Sequence, residues 1–113
     1  ATLRRQRQMC IRDRAEAGSR SPVKADPAAG QLLVSLRIDS EAVVRSNCIW
    51  ALGRLMDQLV QPRQAEIVEA LVSALLHDGE ISVRDEARTA LEQLEDPLVL
   101  ERLQALINDG FIL

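Results

Sequence analysis

The chain repeats itself, and the period decides most of what it can become. Leu32–Asp57, LLVSLRIDSEAVVRSNCIWALGRLMD, lies without a gap over Leu71–Asp96, LVSALLHDGEISVRDEARTALEQLED, at an offset of 39 residues. Leu32 falls on Leu71, Leu36 on Leu75, Asp39 on Asp78, Val44 and Arg45 on Val83 and Arg84, and Ala51 and Leu52 on Ala90 and Leu91. A partial third copy follows, because Ala74–Gly79 (ALLHDG) recurs as Ala105–Gly110 (ALINDG) at an offset of 31. Asp26-Pro27 and Asp96-Pro97 stand 70 residues apart. The first unit is therefore eight residues longer than the second, with the surplus around Gln58 to Ala65. A fixed period of this size marks supersecondary units that cannot bury their apolar faces alone and must stack on their neighbours.

Each unit reads as two helices. Leu, Ala, Val and Ile dominate, with one Trp, one Phe and no Tyr, a composition that suits helix-on-helix packing better than a sheet. The first helix is predicted over about 27–38, with Asp26 as N-cap and Pro27 at its first position. The second is predicted over about 41–59 behind Ser40, with Val44, Cys48, Ala51, Leu52, Leu55 and Leu59 at helical spacing. A third is predicted over about 62–76. A fourth begins near Ser82, with Asp85 in a capping-box-like position and Val83, Ala87, Ala90, Leu91 and Leu94 inward. The fifth is predicted over about 97–107, ending toward Gly110 in a left-handed conformation. The fold class expected is all-α, a solenoid of stacked antiparallel helix pairs. Its units fall at about 26–60, 61–95 and, in part, 96–113.

The N-terminal stretch Arg4–Arg14, RRQRQMCIRDR, does not belong to this pattern. It has no aromatic residues for base stacking and no amphipathic stripe. Back-translated in one frame as CGT CGG CAG CGT CAG ATG TGT ATA AGA GAC AGR, it matches the read adapter and mosaic end of transposon-based sequencing libraries. Residues 1–14 are therefore taken as non-native, and 15–25 (AEAGSRSPVKA) as a linker or frayed remnant. The remainder is expected to be an internal slice of a longer, metagenomic reading frame, with further repeats at one or both ends.

Setting that stretch aside changes the electrostatics. The chain holds 14 basic and 17 acidic residues; without Arg4, Arg5, Arg7, Arg12, Arg14 and Asp13, nine and sixteen remain, a net charge near −7. Such a surface disfavours nucleic acid as a partner. No apolar run is long enough to span a membrane. Only Cys48 is left, so neither an intramolecular disulfide nor a cysteine metal site is expected, in keeping with a cytoplasmic location.

Asp39…Val44-Arg45…Ala51-Leu52-Gly53…Leu55 and Asp78…Val83-Arg84…Ala90-Leu91…Leu94 resemble the HEAT repeat, in the short variety named for phycobilisome-lyase-type proteins. The resemblance covers about 26–113. The long first unit and the Cys48-Ile49-Trp50 stretch depart from the family pattern. In similar proteins the Asp and the Arg six residues on form a ladder between adjacent units, which here implies Asp39, Arg45, Asp78, Arg84 and Asp109 as structural residues. Second helices of similar repeats line the face where partners bind. Asn47, Trp50 and Arg54 form an i, i+3, i+7 line on the second helix, and Glu86, Thr89 and Gln93 are their equivalents one repeat on. These six are the candidate partner-binding residues, Trp and Arg being favoured in binding hot spots. For Trp50 the competing reading is packing against the long 58–65 connection.

Nothing in the pattern supplies a catalytic group. There is no Gly-rich phosphate loop, Ser/His/Asp arrangement or Cys/His cluster, and the paired His-Glu motifs of iron-binding HEAT-repeat hydroxylases are missing. His77, the only histidine, falls at a helix C-terminus, where the dipole favours it. No cofactor or metal is expected. The reading is a non-enzymatic scaffold that binds another protein. The alternative implied by the resemblance is a part of a phycobilin lyase, a chromophore-attaching protein.

Overall fold

The computed structural model of the chain describes residues 22–111, which form five α-helices and one 3₁₀ turn. They are α1 (Pro22–Ile38), α2 (Ala42–Leu55), the 3₁₀ turn (Met56–Gln58), α3 (Gln61–His77), α4 (Ile81–Gln93) and α5 (Pro97–Asn108). No strand occurs among the described residues. Residues 1–14, and the 15–21 part of the linker reading, lie outside them.

α1 packs on α2, α3 packs on α4, and the two pairs stack chiefly through α2 against α4. The buried residues form one continuous core. Leu32, Leu33 and Leu36 of α1 meet Val44, Cys48, Ala51, Leu52 and Leu55 of α2, and the core runs on through Ile67, Leu71 and Leu75 of α3 to Val83, Ala87 and Leu91 of α4. The equivalent leucines Leu36/Leu75 and Leu52/Leu91 are all buried. Burying each such side chain is worth about 1.5–3 kcal/mol before chain entropy is set against it. α2 sits between α1 and α4, so its buried set is broad and includes Asn47 and Ile49. α4 buries only Val83, Ala87, Ala90 and Leu91.

Several local expectations need correction. α1 begins at Pro22, so Pro27 lies inside the helix and residues 22–25 are helical instead of linker. Ala25 is fully buried, and that packing carries the helix past a proline that lacks a donor for the carbonyl of Val23. Asp26 caps nothing; its carboxylate takes Arg63 Nε at 2.9 Å and Nη2 at 3.3 Å. The same dipeptide behaves differently at Asp96-Pro97. There Asp96 is the N-cap, its side chain accepting from Leu98 N at 2.9 Å, with Pro97 in the first turn. Glu95, at φ 52°, turns the chain sharply before it.

Ser40 and the Ser82/Asp85 pair do not cap their helices. The ladder aspartates organise those entries instead. Asp39 Oδ1 accepts from Glu41 N at 2.8 Å and Asp78 Oδ1 from Glu80 N at 3.0 Å, the short-range turn that aspartate favours. The eight surplus residues of the first unit become the 3₁₀ turn, an extended Leu59-Val60 and an added first turn of α3, pinned by Gln64 Nε2 donating to Met56 O at 2.7 Å. α5 ends as expected. Gly110 takes φ 98° and Phe111 N donates back to Leu106 O at 3.1 Å, a Schellman-type stop.

Candidate functional site

The stacking of the two pairs is fixed on one side by a partly buried ion pair. Arg45, in the first turn of α2, reaches the second unit. Its Nε meets Asp78 Oδ2 at 2.9 Å and its Nη2 meets Asp78 Oδ1 at 3.1 Å, a bidentate pair, while Nη1 donates to Asp39 O at 3.0 Å. The side chains are 16% and 10% exposed. Burial by itself would raise the Asp78 carboxyl, but the bonds from Arg45 and from the Glu80 amide outweigh it and hold the group below its usual range. The Asp78 bond in turn raises Arg45.

The next rung is half built. Arg84 Nη1 repeats the backbone contact, donating to Asp78 O at 2.6 Å, but no ion pair joins Arg84 to Asp109 among the described residues. In the first two units the ladder acid precedes a second helix; after α5 no such helix is described.

The first helices are stapled at their surface. Asp26 pairs with Arg63 across α1 and α3, and Arg37 approaches Glu66 at 3.7 Å across the same helices. Arg102 of α5 grips Glu69 of α3 with both guanidinium arms, Nη2 to Oε2 at 3.2 Å. The hydrogen bonds from these arginines hold Asp26 and Glu69 below the usual carboxylate range. A hollow of about 590 Å³ lies here, between Leu36 and Arg37 on one side and Glu66, Ser73 and His77 on the other. Its Arg37, Glu66, Glu69 and Asp78 are all bound to one another or to neighbouring helices, so they serve the stack. His77 is the last residue of α3 and stands exposed beside it.

On the second-helix side lies a groove of about 420 Å³ between α2 and α4. Trp50, Gly53 and Arg54 form the α2 wall; Glu86, Thr89, Ala90, Gln93 and Leu94 form the other. The Arg54 guanidinium lies 4.9 Å from the centroid of the Trp50 ring, a cation–π contact. A Cβ placed on Gly53 would stand 3.8 Å from Ala90 Cβ, so small residues bring the helices close and leave the floor bare. Trp50 is half-buried, resting on the core and lining the groove opposite α4.

The structure thus brings Trp50, Arg54, Glu86, Thr89 and Gln93 to one surface. It takes Asn47 away from that surface. Asn47 is 6% exposed, and no buried side-chain polar atom among the described residues lacks a hydrogen-bond partner. Its equivalent Glu86 stays in the groove because, among the described residues, α4 has no counterpart to the helix that covers the far side of α2. Gly53, Ala90 and Leu94 were not among the candidates. Their signal was Gly53 and Ala90 sitting one turn from Trp50 and Glu86 on small-residue positions.

Stacked antiparallel helix pairs, joined through their second helices and keyed by an Arg–Asp rung, define an α-solenoid. The family model for HEAT repeats matches residues 27–111, and the chain belongs to the HEAT-repeat family. No curated protein and no solved structure matches the chain. HEAT repeats generally mediate protein–protein interaction. No described helix is long and apolar enough to cross a membrane.

Proposed function

We propose that this protein is a protein-interaction scaffold whose docking surface is the α2/α4 groove, and not part of a chromophore-attaching enzyme. The observation that carries this is the Arg54 guanidinium stacked on Trp50 at the mouth of a groove floored by Gly53 and Ala90. An aromatic anchor with an arginine, beside an empty floor on rigid helices, is the composition of a binding hot spot. The buried Cys48, which forms no disulfide, is consistent with a reducing compartment, and we place the protein in the cytoplasm.

We further propose that α5 is the first helix of a third hairpin. Leu98 is 75% exposed, and Leu100, Ile107 and Phe111 are exposed with it. Ile67, the equivalent of Leu98 in the second unit, is fully buried, and a following helix that covered Leu98 in the same way would bring Asp109 to Arg84.

The groove is tested by a photo-crosslinking side chain placed at Gln93 or, as a control, at exposed Glu101. A discrete protein adduct from position 93 that position 101 does not give supports the reading. Identical adducts from both positions, or none from 93, end it.

A further inference from the structure

The charges of the groove differ from the other charges around it. Arg37, Arg45, Arg63, Arg88 and Arg102 each hold a carboxylate. Arg84 holds a backbone carbonyl. Arg54 alone of the described arginines takes only an aromatic face, which leaves its donor edges without an acid among the described residues. Across the groove, half-buried Glu86 likewise has no ion-pair partner among them. Unpaired surface charges are ordinary. These two are set apart by position: opposite signs on opposite walls of one groove, with a bare Gly53/Ala90 floor between.

Arg54 is also organised in advance. Stacking on Trp50 restrains a side chain that would otherwise lose rotamer freedom on binding. A guanidinium held by its face presents its N–H edge, the geometry that takes a carboxylate in two parallel bonds.

We infer that the groove takes a protein segment in which one apolar side chain lies between an acidic residue, held by Arg54, and a basic residue, held by Glu86. This rests on the groove being the docking surface. The apolar side chain fills the floor over Gly53 and Ala90, flanked by Trp50 and Leu94. The two charges set the direction of the segment, because the reversed segment places like charges together on both walls. The acidic surface of the solenoid draws the basic end in, and the Arg54 contact selects which basic segments stay.

The test uses the full chain, immobilised, and a random peptide display library. Three proteins are compared: wild type, Arg54→Glu, which makes both walls acidic, and Thr89→Trp, which fills the groove from an exposed position. Circular dichroism confirms that each is folded. Wild type should enrich peptides with an acid and a base on either side of an apolar residue. Arg54→Glu should bind those peptides at least tenfold more weakly and enrich peptides with a base on both sides of the apolar residue, and Thr89→Trp should bind neither set. If wild-type peptides bind Arg54→Glu equally but lose Thr89→Trp, docking in the groove stands and the charge assignment is overturned. If Thr89→Trp binds as wild type does, or if wild type enriches nothing above bare support, both fall.

Discussion

Replacing Arg45 by Met tests the physical core of the fold. The substitution keeps most of the aliphatic stem and removes the guanidinium. Three hydrogen bonds go with it: two to the Asp78 carboxylate and one to Asp39 O. What remains is the Asp78 carboxylate, 10% exposed in the intact protein and still bonded by the Glu80 amide at 3.0 Å. Breaking a buried pair by removing one partner costs about 3–5 kcal/mol, because the other charge stays behind. A surface pair is worth about 0–1 kcal/mol. At these exposures the loss should fall between the surface and the buried case, about 2–4 kcal/mol. For a domain near this size each kcal/mol moves the melting temperature by about 4–8 °C.

Urea unfolding followed by circular dichroism measures the loss, and it also separates two mechanisms. The rung joins the first unit to the second, so its removal should uncouple them and lower the slope or split the transition. Arg45→Met/Asp78→Asn, which removes the stranded charge but keeps an acceptor for Glu80 N, should recover at least half of the loss. A loss under about 1 kcal/mol, with an unchanged slope and no recovery in the double variant, would refute the reasoning and make the rung a surface pair.

Three further outcomes follow from particular residues. The carboxyls of Asp26, Glu69 and Asp78 are held below their usual range, so their contribution is complete above the unfolded-state value and is lost as pH falls through the lowered folded ones. The melting temperature should hold from pH 7 to about 5 and fall below about pH 4, less steeply in Arg45→Met; parallel curves would contradict this. Pro27→Ala should restore the bond to the Val23 carbonyl and stabilise the protein by about 1–2 kcal/mol, the helix gain less the added unfolded-chain entropy, read as a rise in urea midpoint. Gly53→Ala places a methyl at ordinary contact distance from Ala90 and should gain about 0.5–1 kcal/mol from helix propensity, whereas a loss would show that the helices cross more tightly than 3.8 Å implies.

The architecture was legible because it is written twice. The 39-residue offset placed Leu36 on Leu75 and Leu52 on Leu91, and all four are buried. The ladder of Asp39, Arg45, Asp78, Arg84 and Asp109 came from the likeness to HEAT repeats and not from the offset, and the partner that Arg45 takes, Asp78, is seen only in the fold. What stayed hidden depended on neighbours. Ile49 aligns with Arg88, so the repeat suggested no inward role for it, yet it is fully buried because α2 has a helix on either side. Asn47 followed the same course. The sequence of α2, AVVRSNCIWALGRL, is apolar nearly all round where α4, ISVRDEARTALEQ, is not, and that contrast was the available signal for a sandwiched helix. The helix starts were misread because local capping rules assign Ser40 and Ser82, while a tertiary contact makes Asp39 and Asp78 the better choice. Each aspartate is already held through its carbonyl by the arginine six residues on. The groove was half legible: its polar walls stood out as an i, i+3, i+7 line, but its floor is made of a glycine and an alanine whose role is to be small.

Rung and groove are not independent features. Two rods are fixed relative to each other by two points of contact, and α2 and α4 have them at either end of their crossing. Arg45 ties the start of α2 to the turn before α4, and Gly53 lies against Ala90 about two turns further on. Packed helices are not freely deformable between such points, so the spacing of Trp50 and Arg54 from Glu86 is set by contacts that none of the three makes. That is a reason for a scaffold to invest in a buried ion pair, whose net contribution to stability against an apolar replacement is small or negative. The stabilising work can be done by leucine and alanine. The register of one helix on the next, and with it the separation of a cation from an anion across an open floor, needs a contact with direction, and the bidentate grip of Arg45 on Asp78 supplies it.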